Sequence, residues 1–138
     1  MLVEEIHSVV VATVDETGHP HTTVMDMMWE DGKTVYFLTA DFKPLYKRLK
    51  EDGRVAVTGM TQGAGTMDRK SISLTGQVKW IGKEHLEELL KANPYMYEIY
   101  PTEEGRSHLQ VFRFKNAVGN FYDLTQLPPY QARFEIEG

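Results

Sequence analysis

The chain contains no cysteine. That absence excludes disulfide cross-links, thiolate zinc sites, iron–sulfur clusters and cysteine nucleophiles together, so any redox chemistry must run on a borrowed cofactor. A chain without thiols is indifferent to redox compartment, and a cytoplasmic location is the expectation. Positive charge is scarce as well: 15 Lys and Arg stand against 20 Asp and Glu, a formal net charge of -5 with no basic stripe. Nucleic acid is therefore not an expected partner, and an anionic cofactor needs a local concentration of positive charge. Long apolar runs are missing too. Acids, Lys or Gly interrupt every stretch before it approaches the roughly 20 residues that span a bilayer, so a soluble protein without membrane association is expected. The opening MLVEEIHSVVVATVDE puts acids ahead of a short apolar run, without the basic start or small-residue cleavage site of a signal peptide.

What is present is material for one packed domain. Hydrophobic residues make up 41% of the 138, with 7 Tyr, 6 Phe and 2 Trp, enough to give residues 1–138 a real core. Residues 8–14 are a β-branched run closed by Asp15-Glu16-Thr17-Gly18, and a second extended segment at 21–29 makes a hairpin with it. Asp31-Gly32 is a tight-turn signal leading to a third strand at 34–39. Pro44, Leu45, Tyr46 and Leu49 predict a short helix over 44–51 that Gly53 stops. Strands follow at 54–60 and, after a Gly-rich loop over 61–66, at 71–80, where Ile72, Leu74, Val78 and Trp80 alternate with polar residues. Leu86, Leu89 and Leu90 predict a helix over 83–92, and a further helical turn is expected at 95–100. Residues 107–115 and 117–124 read as final strands, or one strand and its extension, with an irregular tail from Leu127-Pro128-Pro129. Strands joined by hairpins, with inserted rather than alternating helices, favour an antiparallel barrel or sandwich over a parallel α/β sheet.

The segment YFLTADFKPLYKRL, residues 36–49, places the Thr39 hydroxyl at a strand end and the Lys43 ammonium just ahead of a proline-marked helix. A helix start offers unsatisfied N–H groups and partial positive charge, so together these groups suit a phosphate dianion. The same residues also read as a lysine lying over a surface helix beside a threonine that merely packs. His19 and His21 are spaced to share one face of a strand, but no third ligand is placed beside them and no metal site is expected. His21 serves either near a bound ring or as a turn-flanking surface residue. His85 sits among Glu84, Glu87 and Glu88 on the predicted helix face, exposed to solvent. Gly63-x-Gly65 opens no helix and is not a dinucleotide fingerprint.

The order of the His19-Pro20 hairpin, the Asp-Gly turn, YFLTA, KPLYKRL, RVAVTG and SISLTGQV resembles the pyridoxamine 5'-phosphate oxidase-like family of FMN-binding split barrels, over about residues 4 to 115. The resemblance implies a mainly β (α+β) fold: a six- to seven-stranded antiparallel Greek-key split β-barrel with two or three short helices. It also implies that the FMN phosphate meets Thr39 and Lys43 while the isoalloxazine lies along Thr22, Thr23, Val24 and Met25. A strand with a methionine and free backbone groups suits a flavin's apolar face and polar edge. Met25, Met27 and Met28 equally suit barrel filling. In this family a second subunit completes the site, so a homodimer is expected, with Thr58, Met60 and Gln62 reaching across. Arg69 and Lys70 either attract an anion or are surface charge, and Tyr122 either stacks on a flavin or closes the barrel end. The Arg-x-His motif by which true pyridoxamine phosphate oxidases grip their substrate has no counterpart after Lys115, where the late Arg133 is followed by Phe134-Glu135. The expected function is therefore an FMN-dependent oxidoreductase acting on an unidentified small molecule. A non-catalytic flavin carrier or store, or a barrel holding haem or a deazaflavin, is the alternative.

Overall fold

The computed structural model describes residues 1–137. Its first hairpin joins β1 (Ser8–Val14) to β2 (Pro20–Asp26) in an antiparallel pair. Asp15 organises the turn by accepting from the Thr17 and His19 N–H groups and the Thr17 hydroxyl, and Gly18 adopts a φ of 86° that suits glycine alone. The extended segment expected over 21–29 does not run unbroken. The Met27 N–H donates to the His7 carbonyl and the Met28 N–H to the Tyr36 carbonyl, so the chain leaves β1 and forms a two-residue β3 (Trp29–Glu30) against β4 (Val35–Ala40).

Helix α1 (Pro44–Glu51) and β5 (Arg54–Met60) fall where the sequence places them. β6 (Lys70–Gly82) leads to α2 (Leu86–Ala92), α3 (Met96–Ile99) and α4 (Glu103–Arg106), and one long strand, β7 (Leu109–Asp123), follows. Four short α-helices thus replace the expected two or three among the described residues. α2 starts later than expected because His85 takes a φ of 62°. Its ring packs 5.0 Å from Trp29 and 5.3 Å from Tyr36, so it is a half-buried wedge rather than a solvent-facing helix residue. The tail is also regular: β8 (Tyr130–Glu137) pairs with β7 from Asn116 to Asp123. It occupies the edge of β7 that β4, paired only over Leu109 to Arg113, leaves open.

The sheet order is β2-β1-β5-β6-β7-β4-β3, with β8 beside β7, and every pairing is antiparallel. β2 and β3 end this path yet are neighbours in sequence, so the sheet curls into a barrel that stays split between β2 and β4. Register shifts after Gln77 and Trp80 help β6 bend. β4 is buried on both faces. Val35 and Phe37 point into the barrel core with Val9, Val11, Phe112 and Phe114. Tyr36, Leu38 and Ala40 point the other way, into a second core beneath the helical insert. Burial on both sides is why VYFLTA reads as a continuous apolar run instead of an alternating one. No helix among the described residues is long and apolar enough to cross a membrane.

The Asp31 turn yields an acid-stability prediction. Burial pushes the Asp31 carboxyl up, but the Tyr36 hydroxyl at 2.7 Å and the N–H groups of Thr34 and Lys33 outweigh it and hold its pKa at about 2, below the ordinary 3.8. Burial and the Asp31 charge push the Tyr36 phenol up to about 12. A carboxyl with a depressed folded-state pKa stabilises fully above its unfolded value and loses that contribution as pH falls through the folded one. Thermal melts of the wild type should therefore decline between about pH 4 and pH 2. Asp31→Asn should be less stable at neutral pH and show a shallower decline in that window. An equal slope in both proteins would remove Asp31 as a source.

Candidate functional site

A cleft of about 500 Å³ fills the split. One wall is β2, through Thr23, Val24, Met25 and Asp26, and the other is β4, through Leu38, Thr39 and Ala40. Among the described residues β2 pairs only with β1, and Leu38 and Thr39 pair only with β7. Both walls are therefore strand edges carrying backbone groups that no second strand satisfies. α1 forms the floor with Lys43, Pro44, Leu45 and Arg48, while Met96, Ile99 and Tyr100 of the helical insert form the roof. Pro44 occupies the first turn of α1 and Lys43 is its extended N-cap, which places an ammonium at the positive end of the helix.

The two ends of the cleft differ in charge. At the α1 end stand Lys43 and Arg48, with the Thr39 hydroxyl between strand and helix. At the roof end stands Asp26, which accepts from the Ser8 hydroxyl at 2.6 Å and the Tyr95 hydroxyl at 2.8 Å, with His7 Nε2 at 3.4 Å. Burial raises the Asp26 carboxyl, but the Ser8 and Tyr95 hydroxyls and His7 together hold it below its ordinary range. Burial and the Asp26 charge push the Tyr95 phenol well up. The pair thus meets as carboxylate and neutral phenol, and Tyr95 also sits 2.9 Å from His7 Nε2. This chain of contacts, with Asn93 Nδ2 donating to the Met28 carbonyl at 2.8 Å, fastens the helical roof to β2.

Of the residues expected from sequence, Thr23, Val24, Met25, Thr39 and Lys43 come together in this cleft. Thr22 lies in a second groove of about 330 Å³ on the outer sheet face, together with Thr58, which is one of the residues expected to reach across to a second subunit. Met60 is 55% exposed, close to Arg69, and Gln62 is an exposed loop residue; neither lines the cleft. Arg69 donates to the Met60 sulfur and the Gly63 carbonyl, and Tyr122 is exposed on β7 outside the cleft. His21 contacts Asp15 at 2.8 Å and His19 contacts the Thr17 hydroxyl at 2.7 Å. Both rings are thus used in the hairpin turn, and His19 precedes β2 rather than sharing its face with His21. Among the described residues no group of three metal-ligating side chains forms. Met27 is fully buried in the barrel core, whereas Met28 is buried and also borders the cleft.

Sequence reasoning missed Arg48, Asp26 and the roof residues. Arg48 carried a readable signal: it lies three residues after Leu45, on the same helix face. Asp26 and the roof carried none, since their place depends on how the insert docks.

A curled antiparallel sheet with a half-open cleft between its edge strands defines a split-barrel protein. The sequence model described as pyridoxamine 5'-phosphate oxidase matches residues 1–122, and the chain belongs to the pyridoxamine 5'-phosphate oxidase-like family. No curated protein matches the sequence. Among solved structures, a NimC/NimA family protein from Clostridium acetobutylicum is similar at a TM-score of 0.78 and 21% identity, over 96% of this chain and 86% of that one. A heme binding protein from Mycobacterium smegmatis is similar at a TM-score of 0.70 and 13% identity, over 94% of this chain and 53% of that one. A protein described as F420 reductase has a TM-score of 0.63 and 20% identity, over 82% of this chain and 88% of that one. At these identities the likeness is one of fold.

Proposed function

We propose that this protein is a cytoplasmic, homodimeric FMN-dependent oxidoreductase of this family, with the flavin in the cleft between β2 and β4. The observation that carries the reading is the convergence of Thr23, Val24 and Met25 with Thr39 and Lys43 on one cleft. The donor set fits the group. Met25 and Met28 offer sulfur and apolar contact to a ring face, the strand edges offer backbone donors and acceptors, and Lys43 and Thr39 offer charge and a hydroxyl to a phosphate. FMN supplies the electron or hydride chemistry when bound. The chain's own residues bind it, orient it and exclude water. Met96, Ile99 and Tyr100 cover the roof, and Tyr95, held by Asp26, keeps that roof in place. Pyridoxamine phosphate is not the substrate in this reading, because Arg133 pairs with Glu135 at 3.0 Å on β8 and does not line the cleft.

The names of two neighbours direct attention to haem and to a deazaflavin. Among the described residues no histidine lines the cleft, but Tyr100, Met25, Met28 and Met96 do. Tyrosine and methionine are haem ligands, so haem, like a deazaflavin, is separated from flavin by spectrum. Protein purified under mild conditions, or mixed with FMN, should be yellow, and the released chromophore should be FMN. Lys43→Ala should weaken FMN binding about ten- to a hundred-fold, the range for a hydrogen bond to a charged group, and leave riboflavin binding nearly unchanged. Lys47, exposed and 3.9 Å from Glu16, serves as control. A protein that binds no FMN, or a Lys43→Ala loss equal for both flavins, would overturn the assignment.

A homodimer is supported by the outer sheet face. Across β2, β1, β5, β6 and β7 the register aligns Val24, Val10, Thr58, Ser73 and Asn120 in one row and Thr22, Ala12, Ala56, Thr75 and Val118 in the next. Nine of these ten are exposed and the tenth, Ala12, is half-buried. None is ionisable, whereas a strand face left in water ordinarily carries charge. A face of small, uncharged residues admits the same face of a second copy, and two-fold symmetry makes the contact self-complementary. Val24 lies where this face meets the cleft, so the second copy would sit beside the flavin.

A further inference from the structure

His7, Tyr95 and Asp26 meet in a triangle at the roof end of the cleft, and the protons in it can be counted. His7 Nδ1 lies 3.0 Å from the Val3 carbonyl, and a carbonyl only accepts, so Nδ1 carries a proton. His7 Nε2 lies 2.9 Å from Tyr95 Oη, which lies 2.8 Å from Asp26 Oδ2, and Nε2 to Oδ2 is 3.4 Å. Tyr95 brings a single proton to these contacts. With neutral His7 and ionised Asp26, that proton fills one short contact and leaves lone pairs facing each other across the other. A second proton is needed. Placed on Nε2, it closes the chain as imidazolium, phenol and carboxylate; placed on Oδ2, it closes the same chain in the opposite sense. The two arrangements carry the same charge and differ only by a shift of protons across Tyr95. The backbone holds the imidazole there at a cost, since His7 has a φ of 60° and a ψ of -65°, the strained γ-turn conformation. His7 follows a π-helical turn, Leu2–Ile6, whose Glu4 and Glu5 are exposed. Among the described residues His7 and Asp26 form ion pairs only with each other.

We propose that His7, Tyr95 and Asp26 are a proton relay from solvent to the cleft, with Asp26 the catalytic acid that hands the proton to the cleft's occupant. His7, whose side chain is 30% exposed, is the entry, and Asp26, which lines the cleft, is the exit. At rest the proton sits on His7, because the Asp26 carboxyl is held below its ordinary range. In transfer the Nε2–H bond breaks as an Oη–H bond forms, and the proton that Tyr95 held passes to Oδ2. Asp26 then releases it to a basic atom in the cleft, and His7 takes a replacement from water. No electron moves through the relay, and one proton enters for each that leaves. The acceptor is a group that gains basicity as it is reduced, so the inference rests on the oxidoreductase reading for the proton's destination.

Two measurements separate the inference from that reading, the first without any ligand. Long-range ¹H–¹⁵N spectra of the full-length protein at neutral pH should show both His7 ring nitrogens protonated while the Asp26 carboxyl carbon is that of a carboxylate. Asp26→Asn brings its own N–H to the triangle, so its His7 should carry one proton, on Nδ1. A wild-type His7 with bare Nε2 beside an ionised Asp26, or a doubly protonated His7 in Asp26→Asn, would overturn the relay whatever the protein binds. The expected pattern in a protein that takes no flavin would uphold the relay and overturn the flavin reading alone. In the second measurement, FMN-loaded protein is mixed with reduced methyl viologen, a donor of electrons only, and proton uptake is followed with a pH indicator. His7→Gly, which suits a positive φ, should slow uptake about a hundredfold, within the range for a positioned proton donor. Imidazole in the buffer should restore the rate. Tyr95→Phe should slow uptake about as much, without rescue. Wild-type rates in either variant, a His7→Gly loss that imidazole does not relieve, or equal rescue of both would mean that the three residues only brace the roof.

Discussion

Phe112→Ala should destabilise the protein by about 3 to 5 kcal/mol, the range for deleting a buried aromatic ring, which for a chain of this size lowers the melting temperature by roughly 10 to 20 °C. Phe112 is fully buried. It stacks on Phe37 at 5.7 Å, and Phe37 in turn meets Phe114 at 5.8 Å. Three rings thus join β4 to β7 across the barrel interior, and their removal leaves a void that the closed side of the sheet cannot collapse to fill. The loss extends to the cleft. Phe112 also meets Tyr46 edge-on at 6.1 Å, and Tyr46 belongs to α1, the helix that carries Arg48 and whose N-cap is Lys43. FMN binding by Phe112→Ala, measured well below its melting temperature, should therefore weaken more than riboflavin binding does, because the ring's removal loosens the anion end first. Phe112→Leu keeps most of the volume and should restore most of the stability. A melting temperature within a few degrees of wild type for Phe112→Ala would show that the barrel interior repacks.

The boundaries that sequence could supply are those set by local chemistry. Pro44 and Gly53 bracket α1, and Asp31-Gly32 marks its turn, because backbone sterics act within a few residues. The period-two alternation from Ser71 to Trp80 fixes one face of β6 for the same reason. Other outcomes rest on partners far along the chain. β2 stops at Asp26 because His7 and Tyr36 draw the next two N–H groups away, and nothing between Met25 and Trp29 announces it. β8 had a local signal, since Ala132, Phe134 and Ile136 alternate with exposed residues. The preceding prolines masked it, and the open edge of β7 that it needs exists only after β4 has paired. At the site, Thr39 and Lys43 were legible because strand-end hydroxyl, cation and helix start are one continuous segment. Thr22 was drawn into the same expectation as Thr23 and Met25 although successive strand residues face opposite ways. The fold puts Thr23 and Met25 toward the cleft and Thr22 on the outer face with Ala12 and Ala56.

Ala56→Arg should convert the protein to a monomer and weaken FMN binding by at least about a hundredfold, since an unpaired charge pressed into a covered face costs several kcal/mol. Ala56 lies in the middle strand of the uncharged face, opposite Ala12 on β1 and Thr75 on β6. Its side chain is exposed in the single chain, so a monomer accommodates arginine without strain and the substitution reads assembly rather than folding. Two-fold symmetry doubles the effect, because each interface receives two such charges. The link to the cofactor follows from geometry. The cleft stays half-open along β2, and Val24, 69% exposed, lies on the same row as Val10 and Thr58 of the proposed interface. In the proposed dimer, a second copy covering that face closes the cleft on the side that β2 leaves bare, and each flavin touches both chains. FMN at about 100 times its dissociation constant should stabilise the dimer by roughly 2.7 kcal/mol per site, so the wild-type melting temperature should rise with both protein and FMN concentration. Sedimentation with and without FMN, beside melting curves at several protein concentrations, measures both effects. Lys33→Glu, in the turn before β4 and away from this face, should leave them unchanged. An Ala56→Arg protein that sediments as a dimer would refute the interface, and a folded Ala56→Arg monomer that binds FMN as tightly as wild type would refute a flavin shared between chains.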